Sequence, residues 1–506
     1  MTTNKITLLL LALAGLAETP VLAAAPSNVA PRAIDVGSRK QLFVDRHLVE
    51  SSRDVTLSMH SPRRDGRVLI TADQSWEKGC HVLVYSSVVK DRGKIRVWYD
   101  LIKRTGAGPY DHLRMVAYAE STDGVHFVKP KLGLHALEGS KQNNIVLPDK
   151  IGGCAVWIDS RAPAEHRYKT QAKVYPTGQF HMHSSPDGLK WTLFSKPHPG
   201  PGGHDTQSIV YWDPAVKRYA VFTRYWAHHS DEVRRFRTVR RLETDDLKTG
   251  KWVNESIVMA PDARDRATHK TPGRQPPVDF YGACVFPYQE APGVTIMLSQ
   301  AHWHWKKRSF GRGLGPANFD VQLAISRDGR QFRRMGDRRP FMANGRDGAF
   351  DSRYVWAMPN PIRMGDELWF YYSGTNRDHD GLLDPAADGH LSGIGRAILR
   401  LDGFVSADAG YGGGEIVTPI IRFEGERLEL NLDTGGGGSV RVEIQDAYGK
   451  PMIGYTEQDA SFICGNSVRM PASWGTSQDV SGLAGRPIRL RFVVRDCKLY
   501  AFQFTA

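Results

Sequence analysis

The chain has 506 residues, 41% of them hydrophobic and 24% charged, with a formal net charge of +13. That balance excludes a disordered or fibrous chain and leaves enough length for more than one hydrophobic core. The excess of Lys and Arg favours anionic partners in general, and five scattered cysteines exclude a disulfide-dense scaffold.

The N-terminus is read first. Lys5 precedes the apolar run from Ile6 to Ala17, and Ala23-Ala24-Ala25 follows, the layout of a cleaved secretory signal over 1–25. A bilayer-spanning helix needs ~20 apolar residues, more than this run supplies. The expectation is an exported protein, periplasmic or secreted, with no stable membrane insertion.

One phrase then recurs along the chain: Ser121-Thr-Asp123-Gly-Val-His-Phe127, Ser185-Pro-Asp187-Gly-Leu-Lys-Trp191, Thr244-Asp-Asp246-Leu with Trp252, Ser326-Arg-Asp328-Gly-Arg-Gln-Phe332 and the reduced Leu401-Asp402-Gly403-Phe404. Asp-Gly makes a tight turn, since Gly takes positive φ and Asp bonds its own backbone. Upstream of each turn lie strand-like runs rich in aromatic and β-branched residues, such as Ile95-Arg-Val-Trp-Tyr99 and Leu368-Trp-Phe-Tyr-Tyr372. Four strands per repeat and five repeats predict a five-bladed β-propeller over 26–411. Gln41-Leu-Phe-Val44 is expected to join the last blade and close the ring.

Cys80, Cys154 and Cys284 begin apolar runs of inner strands, where buried free thiols are expected. After Gly412-Gly-Gly414 the pattern becomes strict alternation, as in Leu428, Leu430 and Leu432. This predicts a small β-sandwich over 415–506. Cys464 and Cys497 share that domain and could pair under oxidising conditions. The fold class is therefore all-β.

Propeller geometry sorts the loops. Strands alternate in direction, so the entries to the innermost strands and the loops joining second to third strands open on one face, with the Asp-Gly turns on the other. Three innermost strands are entered through an Asp: His204-Asp205-Thr-Gln207, Val278-Asp279-Phe-Tyr281 and Phe350-Asp351-Ser-Arg353. Glycosidic cleavage needs two carboxyl groups flanking the bond, so Asp205, Asp279 and Asp351 are the expected catalytic set, meeting in one pocket with one of them raised in pKa to serve as the acid. The loops on the same face add Arg224, His302, Trp303, His304, Trp305 and His379, while His204, Gln207, Tyr281 and Arg353 flank the Asp residues. Aromatic faces stack on sugar rings, and Arg and His donate to hydroxyl or acidic groups. His302 and His304 alternate on a strand and share a side, a metal pair if a third ligand joined them. The sequence places no third ligand, so no metal and no cofactor are expected.

The repeat with an Asp at several innermost strands resembles the five-bladed propeller glycosidases of glycoside hydrolase families 32, 43 and 68. More closely, Gln41-Leu-Phe-Val-Asp45 with Leu48-Val-Glu50, Asp205-Thr-Gln207, Gly365-Asp-Glu-Leu-Trp369 with Tyr372-Ser-Gly374, and Leu399 to Ser406 resemble a group of secreted bacterial proteins related to family 32. Leu490-Arg-Phe492 and Leu499-Tyr-Ala-Phe502 are similar to the β-sandwich that ends those proteins. The Trp-Met-Asn-Asp-Pro, Arg-Asp-Pro and Glu-Cys motifs of family 32 are absent, so its catalytic roles are not carried over.

The leading expectation is a glycoside hydrolase acting on an acidic or sulfated glycan by carboxylate acid/base catalysis in the propeller funnel. The alternatives are a non-catalytic glycan-binding protein and a polysaccharide lyase or glycoside phosphorylase. Scattered basic residues argue against nucleic acid as a partner.

Overall fold

A computed structural model describes residues 33–106, 112–148, 151–174, 180–195, 206–227, 236–267, 278–304, 317–379 and 389–506. The expected leader, His204, Asp205 and Trp305 lie outside these residues. Among the described residues one short α-helix, Ala263–Ala267, interrupts an otherwise β chain. No helix among them is long and apolar enough to cross a membrane.

The propeller strands fall into five successive four-stranded antiparallel units. The first is Cys80–Asp91, Lys94–Arg104, His112–Ser121 and Ile145–Leu147, and the second Ile151–Ile158, Tyr168–Val174, Phe180–Ser185 and Thr192–Leu193. The third is Ile209–Asp213, Arg218–Ala227, Phe236–Thr244 and Val253–Met259. The fourth is Val278–Pro287, Thr295–His304, Ala317–Ser326 and Arg333–Arg334. In the fifth, Tyr354–Ala357, Glu367–Thr375 and Ser392–Arg400 are joined by Arg63–Ile70. The first strands touch around the ring: Cys80–Asp91 meets Ile151–Ile158, which meets Ile209–Asp213 and then Val278–Pro287, while Tyr354–Ala357 touches Ala317–Ser326 and returns to Cys80–Asp91.

Three of the repeated turns, in the first, second and fourth units, lie between third and fourth strands and are built alike; the one at Asp402 leads instead into Val405–Ala409 of the sandwich. In the second unit the Ser185 hydroxyl accepts from Gly188 N at 2.9 Å, and Asp187 Oδ1 accepts from Leu189 N at 2.8 Å and Lys190 N at 2.9 Å. Ser121 and Asp123 repeat this in the first unit. In the fourth, Asp328 Oδ1 accepts from Arg330 N and Gln331 N. Each turn also fastens its unit to a neighbour. Trp98 Nε1 of the first unit donates to the Gly188 carbonyl at 2.7 Å, the Tyr371 hydroxyl of the fifth to Gly124 at 2.8 Å, and Arg241 of the third to Gly329 at 2.8 Å. Gly188 has φ +74°, and a Cβ there would stand 2.7 Å from the Trp98 ring. Glycine is thus required both by the backbone and by the close approach.

Ring closure differs from the sequence expectation. Arg63–Ile70, paired with Ser392–Arg400, supplies the outer strand of the last unit. Gln41–Leu42 pairs instead with Cys497–Thr505 at the C-terminus. The reason is burial: an outer strand faces water and tolerates charge, as in Arg63-Arg-Asp-Gly-Arg67, whereas Leu42, Phe43 and Val44 are fully buried.

The β-sandwich has two sheets. One orders Ile34–Gly37, Ile421–Phe423, Ile488–Arg495, Gly414–Val417 and Ser51–Arg53, with Ser439–Asp446 also on Ile488–Arg495. The other orders Asn466–Pro471, Arg427–Asp433, Cys497–Thr505, Val405–Ala409 and Val55–Met59. Both ends of the described chain thus meet in this layer. The alternating Leu428, Leu430 and Leu432 point into its core beside Val440, Leu490 and Phe492. A second core runs from propeller to sandwich, because Leu42, Val44, Val468 and Ala501 pack with Phe286, Phe341, Phe370 and Phe404. Burial of this shared apolar surface fixes the sandwich to the ring.

Cys80, Cys154 and Cys284 are buried free thiols. Burial raises their pKa, to about 11 at Cys80 and about 12 at Cys284, so they are poor nucleophiles. Cys464 is exposed and free, and Cys497 is buried and free.

Candidate functional site

First strands start, and second strands end, at the same rim of the ring, so a residue early in one strand meets a residue late in the next. Asp279, second residue of Val278–Pro287, lies opposite His302 near the end of Thr295–His304. Alternation puts His304 on the same side as His302. Arg237, second residue of the third strand of the neighbouring unit, lies opposite Trp226. These ends converge on a buried polar cluster.

Asp279 is 1% exposed, His302 0% and His304 4%. Asp279 Oδ1 lies 3.0 Å from His302 Nδ1 and 3.4 Å from His304 Nε2. Its other oxygen, Oδ2, accepts from the Arg237 guanidinium at 3.1 Å and from Arg237 N at 3.2 Å. The ring of His302 stacks on Phe319 at 4.2 Å, and Phe319 stacks on Tyr354 at 3.8 Å. Tyr281 lies beneath the guanidinium groups of Arg237 and Arg224, 4.4 Å and 5.0 Å from its ring centre. Nε2 of His379 lies 3.4 Å from the Tyr281 hydroxyl.

Burial and charge oppose each other here. Burial alone would raise the Asp279 carboxyl, but Arg237 and the two imidazoles hold it well below the usual carboxylate range. Burial and the neighbouring His304 push His302 well below its ordinary value, so its ring is neutral. Burial and Arg237 bring His379 down to about 3. At Tyr281 burial raises the phenol, yet Arg224 and Arg237 outweigh it and leave the group below the ordinary tyrosine value. The cluster therefore offers an ionised carboxylate, neutral imidazoles and an acidified phenol at neutral pH.

The expected residues divide. Asp279, His302, His304, Tyr281, Arg224 and His379 come together. Asp351 does not join them: Arg64 holds its carboxylate at 2.8 Å and the Tyr372 hydroxyl donates to it at 2.9 Å. Arg64 and Tyr372 belong to other strands of the same unit, and Asp279 shares neither of them. Arg353 pairs with Asp347 at the surface, 2.7 Å apart. Gln207 is a strut, its amide nitrogen donating to the carbonyls of Ser86 and Cys154 while its oxygen accepts from Trp356. Trp303 turns to the other side of its strand, where Nε1 donates to Asp320 at 2.9 Å. Burial pushes that Asp320 carboxyl up to about 7. Asp279 itself is depressed, opposite to the shift needed in a general acid. Arg237 was missed by sequence reasoning, although third-strand starts share the rim with second-strand ends.

Two large cavities lie elsewhere. One, of 970 Å³, is lined by Val55, Leu57, Met259, Phe332 and Arg338 between ring and sandwich. The other, of 750 Å³, is lined by residues near first-to-second-strand turns, among them Trp212, Tyr288 and Pro361. Neither contains the Asp279 cluster.

No family profile and no curated protein matches this sequence. Solved structures similar to it include a glycosyl hydrolase from Bacteroides ovatus, at 13% identity over 68% of this chain and 94% of that one, with a TM-score of 0.44. A β-1,2-mannobiose phosphorylase from Listeria innocua aligns at 12% identity over 68% and 97%, with a TM-score of 0.45. An N-acetylgalactosamine deacetylase from F. plautii aligns at 15% identity over 70% and 96%, with a TM-score of 0.41.

Proposed function

We propose that this protein is a glycan-processing hydrolase whose working centre is the Asp279 cluster at the rim of the propeller. The carrying observation is the convergence of an ionised, buried Asp279 with His302, His304, Arg237 and Tyr281 from three strands of two neighbouring units. Convergent polar groups at a ring end are the ordinary makeup of a binding or reaction site, and desolvation strengthens their electrostatic action on a reacting group. Asp279 is assigned to the ionised role, as base or charge-stabilising group. A proton donor must then come from another group, and Tyr281 and His379 stand nearest. The guanidinium groups of Arg224 and Arg237 support a substrate bearing a uronate or sulfate group.

A second reading is favoured by one observation, the depressed Tyr281 phenol beside two guanidinium groups. A tyrosinate base next to arginines that neutralise a uronate is suited to β-elimination, so the lyase alternative stays in play. One experiment separates the two: incubation with neutral, uronic and sulfated glycans, followed by product detection. Hydrolysis yields new reducing ends without ultraviolet absorbance, whereas an unsaturated uronate chromophore assigns a lyase. No product from any member of a broad panel would leave a binding protein as the better account.

A further inference from the structure

We propose that Asp279, His302 and His304 form a binding site for one divalent transition-metal ion. The inference deepens the reading above, on which its catalytic meaning rests, but the binding itself can be tested without any substrate.

The ligand atoms of the three residues all lie within 4.8 Å of one another, and all three side chains are buried. The shorter separations, 3.0 Å and 3.4 Å from Asp279 Oδ1 to the two imidazoles, match what one ion imposes. With metal–ligand bonds of about 2.0–2.2 Å, neighbouring ligand atoms are about 3.0 Å apart at right angles and about 3.4 Å apart at the tetrahedral angle. Asp279 Oδ2 is already held by the side chain and backbone of Arg237, which turns Oδ1 toward the imidazoles. Such outer contacts orient a ligating carboxylate.

The two rings stand 4.3 Å apart, and each turns one nitrogen, Nδ1 of His302 and Nε2 of His304, toward Asp279 Oδ1. Arg237 Nη1 lies 3.3 Å from His302 Nδ1, a contact that an ion bound to that nitrogen would replace.

Two imidazoles and one carboxylate, with no sulfur, form a donor set for zinc, iron(II), manganese or nickel rather than calcium. Three protein ligands leave coordination positions open. A water bound there becomes more acidic and more available at neutral pH, and a sugar oxygen could occupy another position. The nearby Arg237 disfavours a bare extra cation, which the negative charge of Asp279 offsets.

The test uses the full chain, stripped with a chelator, dialysed and then titrated with zinc chloride. Calorimetry and elemental analysis are expected to give about one ion per chain, with an upward shift of the unfolding temperature. Cobalt(II) in place of zinc is expected to give visible absorption bands distinct from the aqueous ion. His304→Gln and His302→Gln should each weaken binding at least 10-fold, while His126→Gln, exposed on the Asp123 turn of the opposite face, should leave it unchanged. Because the wild-type titration needs no variant, a misfolded mutant cannot obscure the result. Absence of stoichiometric binding by the wild type, or binding indifferent to both histidine changes, overturns the proposal. Metal binding without glycan turnover would sustain the site and overturn only the hydrolase reading.

Discussion

Aspartates on the two faces of the ring meet opposite fates. On the turn face, Asp123 and Asp187 accept backbone N–H groups two and three residues ahead, and their carboxylates hold a hairpin in shape. On the other face, Asp279 is sunk among Arg237, His302 and His304 and kept ionised by them. The residue type is the same, and its surroundings decide the role: Asp123 and Asp187 serve local geometry, Asp279 faces groups from another strand and another unit, and Asp402, after the third strand of the last unit, is buried against Tyr288, Lys40 and Asn431.

The sharpest contrast is between Asp279→Asn and Asp187→Asn. The first removes the charge that the cluster is built around and should lower turnover ~100-fold or more with the fold retained. The second keeps most of the turn's hydrogen bonding and should leave turnover within about 3-fold of wild type. Parallel assays with circular dichroism check both, and equal losses would erase the distinction between the faces.

Stability should reverse the order. Gly188→Ala places a Cβ against the Trp98 ring in a left-handed backbone, and should cost about 1–3 kcal/mol in denaturant titration while turnover is kept. A neutral outcome would mean that the Trp98 latch yields easily. Asp351→Asn, which removes the partner of Arg64, should cost about 1.5–3 kcal/mol with activity near wild type. A collapse of activity in a folded Asp351→Asn variant would return Asp351 to the catalytic set.

The smallest effect concerns pH. His183 is 8% exposed, and burial lowers its pKa from 6.5 to about 4. Between those values the unfolded chain binds a proton that the folded ring refuses, so stability falls as pH drops from about 6.5 toward 4. A His183→Gln variant should show a shallower decline in denaturant midpoint over that window. An unchanged slope would assign the acid sensitivity to other groups, with His390, also brought down by burial to about 3, the next to test.

The repeat was legible because turn chemistry is local: Ser, Asp and Gly two to three residues apart make the same bonds wherever they occur. The alternating Leu428 to Leu432 was legible for a similar reason, since one face is buried. Closure was not, because the outer strand Arg63–Ile70 carries charges that read as loop, whereas the apolar Gln41-Leu-Phe-Val44 is buried by the sandwich. At the site, the His302/His304 alternation was visible, but the missing third ligand was Asp279, already in view and assigned another role. Their meeting depends on a cross-strand register that includes an irregularity between Phe280 and Gly282, which no short-range pattern specifies. Arg237 comes from a different unit, so only the closed ring brings it to Asp279. Asp351 looked equivalent to Asp279 in spacing, yet it precedes its strand, Tyr354–Ala357, instead of lying within it, and Arg64 captures it.

The most direct test of the central claim is a crystal structure of the Asp279→Asn variant with the glycan selected by the product panel. The account predicts a sugar unit at the rim, within hydrogen-bond distance of His304, Tyr281 or Arg237. A sugar seated instead in the 970 Å³ groove between ring and sandwich, with the Asp279 cluster untouched, would contradict it.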